Sequence, residues 1–195
     1  DIPILCRDRV QYVGDAVAFI VADTRALAQD AAELIEIDYE DEKPAIGTAA
    51  ALKEGAPLVW PELGSNEAFR YHVGDKEKTD AAFAKADRVV KVSFINNRLV
   101  ANYMEPRSII GEWRAGEDRF VLTTGSQGVH HMQGVLSNIF GIPKKQLRVI
   151  TPDVGGGFGT KNFVYREHAL VLEAAKRLGR PVKWTCDRNE HFLTD

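Results

Sequence analysis

Cysteine is scarce in this 195-residue chain: Cys6 and Cys186 are the only two, and they form no CxxC pair. Disulfide frameworks and cysteine-built zinc sites are thereby excluded as substitutes for a core, and a reducing compartment is permitted. The five histidines, His72, His130, His131, His168 and His191, also lack the spacing of a zinc site. Positive charge has no surplus. With 25 Lys and Arg against 28 Asp and Glu, the net charge is -3, so the basic field that holds phosphate backbones is missing and nucleic acid is not an expected partner. No run approaches the roughly 20 apolar residues that span a bilayer, and no basic-then-apolar leader opens the chain, so a soluble protein with no membrane span is expected. Internal repeats and low-complexity blocks are absent as well. What is present is a composition 45% hydrophobic, enough for the core of one large or two small domains. The chain starts at Asp1 rather than Met, and "DRNEHFLTD" at its other end carries no helix stop or turn; a fragment is the expectation.

Periodicity predicts an α+β arrangement. "RVQYVGDAVAFIVAD" reads as two strands joined at Gly14-Asp15, and Asp23 or Thr24 can cap a helix with apolar positions Leu27, Ala31, Leu34 and Ile35. "IEIDYE" follows as a strand, and Lys43 to Ser65, rich in Pro, Gly and Ala, reads as a connector. "DKEKTDAAFAKAD" predicts a short helix before a strand in "RVVKVSFIN". "RSIIGEW" and "RFVLTTG" predict a hairpin across "RAGED". A helix striped by Val129, Met132, Val135, Leu136 and Ile139 should stop at Gly141 and Pro143. "QLRVITPDV" is a strand leading into glycines, "FVYREHALVLEAAKRLGRP" a helix ending at Gly179, and "VKWTC" a last strand.

The chemistry is concentrated in "TPDVGGGFGTKN", Thr151 to Asn162. It fails the dinucleotide fingerprint GxGxxG, since counting from Gly155 the sixth position is Thr160, and it fails the GxxxxGK[ST] phosphate loop, since Asn162 follows Lys161. A strand, glycine loop and helix in series still offers unblocked backbone N–H groups and a helix N-terminus to an anion. The plain alternative is a tight turn in which Phe158 fills a core.

"LRVITPDVGGGFGTK", with "TTGSQGVHHMQGVLSNIFGIP" before it and "RLGRPVKWTCDRNE" after it, resembles the molybdenum-cofactor domain of the xanthine dehydrogenase, aldehyde oxidase and carbon monoxide dehydrogenase family. "RVQYVGDAVAFIVADTRALAQDAAELIEIDYE" is similar to the end of that family's α/β-hammerhead domain, and "NYMEPRSIIGEW" to its Glu-Pro-Arg strand. The resemblance implies that residues 1–60 are the C-terminal part of a hammerhead domain with its connector. Residues 61–195 would be the N-terminal part of a mixed α/β cofactor domain. It further implies that Gly156, Gly157, Phe158 and Gly159 offer backbone N–H groups to a molybdenum-pterin group, in its cytosine dinucleotide form, while Gln127 donates from its amide. None of these would coordinate the metal directly.

Other positions carry weaker implications. Lys161 matches the motif's lysine, with structural pairing and cofactor contact both open. Asn162 stands where purine-oxidising relatives carry a substrate-binding glutamate and is a substrate-side candidate. His130 and His131, near Gln127, are candidates to line the site but read first as solvent-facing or packed, Glu105 as one half of an inter-strand salt bridge with an arginine, and Cys186 as a small core residue. The family chemistry implied is hydroxylation of a small molecule, carbon monoxide, an aldehyde or an N-heterocycle, with water as the oxygen source. The loop and Asn162 lean the reading toward the carbon monoxide type. No catalytic residue is expected in this chain, because the family's general-base glutamate lies far downstream, and the isolated chain is expected to be inactive. Electrons would leave through [2Fe-2S] clusters and FAD on a small iron–sulfur subunit and a medium flavin subunit, in a cytoplasmic assembly. Surfaces meant for such partners should be exposed and favour self-association. The competing class is a short non-catalytic cofactor-binding or assembly module.

Overall fold

The computed structural model describes residues 3–194. Along the chain run helices α1 (Arg25–Glu33), α2 (Thr48–Ala51) and α3 (Lys76–Ala84), strands β1 (Ser108–Arg114) and β2 (Arg119–Thr124), helix α4 (Val129–Phe140), strand β3 (Leu147–Ile150), helix α5 (Arg166–Leu178), strand β4 (Val182–Thr185) and helix α6 (Arg188–Thr194). Contacts divide the chain into two compact units, one made of residues 1–37 with 99–195 and the other of 38–98.

The first unit is built on a four-stranded sheet of order β3-β2-β1-β4. β1 lies antiparallel to β2 and to β4, whereas β2 and β3 are parallel. The β1–β2 hairpin was predicted, and its link is a 3-10 turn over Ala115–Glu117 that ends at Asp118 in the left-handed region. Parallel strands need a crossover, and α4 supplies it. α4 ends where its sequence says it should. Gly141, at φ 62°, donates from its N–H to Asn138 O while Ile142 N–H donates to Ser137 O, the paired bonds of a Schellman stop.

The register puts Ile109, Gly111, Phe120, Leu122, Leu147 and Val182 on one face of the sheet. α4 covers it with Met132 and Leu136, and α5 covers it with Ala169, Val171, Leu172 and Ala175. Gly111 sets how close α5 can come: a Cβ there would stand 2.8 Å from Val171 Cγ1 and 3.1 Å from its carbonyl oxygen. At the start of α5, Tyr165 N–H donates to His168 Nδ1 at 3.0 Å, so a buried imidazole caps the helix where no Ser, Thr, Asn or Asp is available. Burial, with the Arg107 cation adding to it, lowers the His168 pKa to about 4, which keeps the ring neutral and able to accept.

α1 starts at Thr24, whose Oγ1 accepts from Leu27 N–H at 3.2 Å, one of the two caps expected. The flanking segments differ from expectation. Residues 9–22 and 35–40, read as strands from their apolar pattern, pair in no ladder among the described residues. Alternation supplies a face, but a strand exists only where a neighbour satisfies its N–H and C=O groups.

In the second unit, Asp75 caps α3 by accepting from Lys78 N–H at 3.0 Å. The connector expected around 43–65 is more ordered than its composition suggests. Asn66 gathers it by donating from Nδ2 to Ala51 O and Pro57 O and accepting from Val59 N–H. The apolar residues of "RVVKVSFIN" form no ladder among the described residues, and Val90, Phe94 and Ile95 are exposed.

Two outcomes are expected. Gly111→Val forces α5 away from β1 and costs about 1–3 kcal/mol, read as a lower denaturant midpoint. His168 takes up its proton in the unfolded chain near pH 6.5 and in the folded protein only near 4. Its contribution is therefore complete above pH 6.5 and is lost as pH falls to 4, by about 3 kcal/mol in all. Urea midpoints across that window should fall less steeply in His168→Gln.

Candidate functional site

The glycine loop runs from the end of β3 toward α5, but not directly. A 3-10 turn over Thr160–Asn162 and an extended stretch at 163–165 intervene, and α5's first turn is occupied by its own His168 cap. The expected direct step from glycine loop to helix N-terminus is therefore absent.

The loop is held from both sides by residues distant in sequence. On one side Glu105 N–H donates to Gly155 O at 3.2 Å, and Glu105 Oε2 accepts from Gly155 N–H at 2.8 Å. On the other, Gln127 N–H donates to Lys161 O at 3.0 Å, and Gln127 Oε1 accepts from Gly159 N–H at 3.0 Å. Glycine is needed for these approaches. A Cβ at Gly155 would lie 2.5 Å from Glu105 Cβ, and one at Gly157 would lie 2.5 Å from Gln127 Oε1.

Lys161 is almost fully buried, with its Nζ 2.6 Å from Glu105 Oε2 and 4.5 Å from the centre of the Tyr103 ring. Of the two readings left open for it, the geometry is that of pairing. Glu105 accordingly pairs with a lysine and not with the expected arginine, because the loop brings Lys161 within reach across 56 positions. Burial pushes the Glu105 carboxyl up, but hydrogen bonds from Lys161 and Gly155 N–H, with the lysine charge, outweigh it and hold the group below the ordinary carboxylate range.

Between these anchors, the N–H groups of Gly156, Gly157 and Phe158 donate to nothing among the described residues. Gly156 at φ 93°, Phe158 at φ 48° and Gly159 at φ 104° all take the left-handed side of backbone space, a sharp local turn that side chains rarely adopt. Phe158 does not fill a core. The residue is 76% exposed, and a bulky residue held at positive φ is the kind of strain that functional loops carry. Gln127 Nε2 also donates to nothing among the described residues, since Gly159 occupies the amide's oxygen. The amide's donor side and the three N–H groups are thus uncommitted together, with Gly157 itself buried. Gly159 N–H is itself committed to Gln127.

Asn162 is exposed, and its Oδ1 lies 2.9 Å from where a Gly128 Cβ would stand. His130 and His131 are exposed on α4, as one of their readings had it. Cys186 is buried, and burial, followed by the nearby Glu190, raises its thiol to about 12, so it packs as an inert residue. Among the described residues no group of three His, Cys, Asp or Glu converges as a metal site, and no helix is long and apolar enough to cross a membrane. The donors assembled here suit an anionic group held through its oxygens.

The comparisons place this loop in a family. Residues 59–195 match the molybdopterin cofactor-binding domain, and residues 1–43 match the aldehyde oxidase and xanthine dehydrogenase a/b hammerhead domain. The chain belongs to the molybdopterin cofactor-binding domain family, within the aldehyde oxidase and xanthine dehydrogenase group. It is 34% identical to the carbon monoxide dehydrogenase large chain of Afipia carboxidovorans, over 98% of this chain and 25% of that one. It is 35% identical to the nicotine 6-hydroxylase large subunit of Paenarthrobacter nicotinovorans, over 98% of this chain and 23% of that subunit. The solved carbon monoxide dehydrogenase from Oligotropha carboxidovorans matches with a TM-score of 0.84 at 34% identity, over 96% of this chain and 25% of that one. The chain thus spans about a quarter of the length of these relatives.

Gly157→Ala is expected to displace Gln127 and to cost about 1–3 kcal/mol, whereas Gly116→Ala, with nothing within 4 Å of the added carbon, should stay within about 0.5 kcal/mol of the parent. Denaturant midpoints of the two variants check this.

Proposed function

We propose that these residues are part of the large subunit of a molybdenum-dependent hydroxylase and form one wall of its molybdenum-pterin site. The observation that supports this reading most directly is the run of three uncommitted N–H groups, Gly156 to Phe158, beside the open donor of Gln127. Residues 1–60 are then the end of a hammerhead domain with its connector, and 61–195 the start of the cofactor domain; the two family matches, 1–43 and 59–195, support that division.

When bound, the pterin group supplies the two-electron redox chemistry that side chains lack. The chain's own part is to bind and orient. Gly156, Gly157 and Phe158 donate to anionic oxygens through the backbone, and Gln127 adds a neutral donor that leaves the charge of the site unchanged. Gly159 contributes by fixing Gln127's oxygen. Asn162 faces the substrate side with a carboxamide where a carboxylate would repel an anion. The general base belongs to another part of the protein, so these residues alone carry no turnover.

The substrate is a small molecule, carbon monoxide, an aldehyde or an N-heterocycle, oxidised with oxygen from water. Relatives named for carbon monoxide and for nicotine are about equally similar, so similarity does not favour either of those two classes. The cytosine dinucleotide form of the pterin, a flavin-binding medium subunit carrying FAD, a small subunit carrying [2Fe-2S] clusters, and a cytoplasmic location complete the proposal. Large exposed side chains such as Phe69, Phe94 and Leu99 would favour self-association of the isolated chain.

The test is elemental and pterin analysis of the full-length protein that carries these residues. About one molybdenum and one pterin per large subunit is the expected outcome, with Gln127→Ala retaining less than half as much. A folded full-length protein that holds neither, after growth with ample molybdate, overturns the proposal.

A further inference from the structure

One oxygen atom holds both ends of the glycine loop. Glu105 Oε2 accepts from Gly155 N–H at 2.8 Å, where the loop begins, and from Lys161 Nζ at 2.6 Å, where it ends. Between those residues the chain has little to stiffen it, since Gly155, Gly156, Gly157 and Gly159 carry no side chain and three N–H groups have no partner among the described residues. Gln127 secures the downstream half, and Thr160 N–H and Oγ1 both donate to Gly157 O. Upstream of Gly157, Glu105 supplies the one side-chain bond that reaches the loop backbone among the described residues.

We propose that Glu105 is a positioning residue for the cofactor site: by bridging Gly155 N–H and Lys161 Nζ it fixes the direction in which Gly156, Gly157 and Phe158 present their donors. This rests on the function proposed above and assigns Glu105 a part that neither the Glu-Pro-Arg stretch nor the loop motif discloses. The physical reason is preorganisation. Donors that are already aimed cost no reordering when an anion arrives, whereas a loop free to turn its peptide planes must first be ordered. Gly125 leaves space for the bridge, because a Cβ there would come within 3.3 Å of Glu105 Oε2 and 3.5 Å of Lys161 Nζ.

Removing Glu105 alone strands a buried lysine cation and can unfold the protein by that route. The test therefore compares two double variants of the full-length protein, Glu105→Ala with Lys161→Met and Glu105→Gln with Lys161→Met. Both lack the buried cation, and only the glutamine form keeps an oxygen for Gly155 N–H. Hydrogen exchange is read for a loop peptide over 154–163 and a sheet peptide over 108–124, together with molybdenum per chain. The alanine form should exchange at least tenfold faster than the parent in the loop peptide, with the sheet peptide within twofold. The glutamine form should recover at least threefold of the loop protection, and molybdenum content should follow the same order.

Loop and sheet accelerating together, the two double variants exchanging alike, or molybdenum content indifferent to loop exchange would each overturn the proposal. If the alanine form does not fold, the glutamine form against the parent still decides: lower molybdenum content with unchanged loop exchange overturns it as well. A parent protein with no molybdenum or pterin sinks the cofactor reading, and with it Glu105's part in that site, while the exchange order separately reports whether Glu105 holds the loop.

Discussion

The buried charge of Lys161 is the constraint around which the site is arranged. An ammonium almost fully removed from water is tolerated only with an anion in contact and its remaining surroundings favourable. Glu105 Oε2 at 2.6 Å and the face of Tyr103 meet that requirement. Satisfying it pulls the loop's C-terminal end against the segment that enters β1, and the same carboxylate then has a lone pair for Gly155 N–H. Closure of the loop follows from neutralising one cation.

The entry to β1 serves both sides of the unit. Glu105 reaches the glycine loop, while two positions on Arg107 is buried beneath the helices, ion-paired to Glu167 at 3.2 Å, bonded to Thr194 Oγ1 and stacked 3.8 Å over the Tyr165 ring. Its carbonyl oxygen accepts from Cys186 N–H after β4. A three-residue stretch thereby ties the loop, α5, α6 and the edge of the sheet into one framework. Gly111 completes it by letting α5 approach β1 closely enough to bury Val171 and Leu172. The loop is consequently mounted on a densely connected support.

The division of labour in the loop is also physical. Gly155 and Gly159 spend their N–H groups on Glu105 and Gln127, and the three residues between them keep theirs. A backbone whose ends are fixed and whose middle is unpaired keeps partial positive charge on its N–H groups, and Gln127 adds a donor without adding a formal charge. Nothing in that arrangement moves a proton by itself. Its uncommitted groups are donors, which suits binding rather than proton transfer.

Much of the first unit could be read along the chain. The strands of the sheet, α4 and α5 announce themselves by period, and Gly141 and Gly179 mark helix ends, because these features depend on neighbours within a turn or two. The glycine loop and Gln127 were legible through a motif whose spacing is local. The loop's partners were not. Glu105 looked suited to an arginine, Phe158 to a core, and residues 9–22 and 35–40 to strands, and each of those readings needed to know what lies opposite. Sequence by itself determined the sheet strands and helices of the first unit and where the uncommitted donors could be. Tertiary structure alone decided that Lys161 meets Glu105 across 56 positions and that Gln127 turns its oxygen inward, because sheet register and helix packing, not chain proximity, choose which side chains face each other.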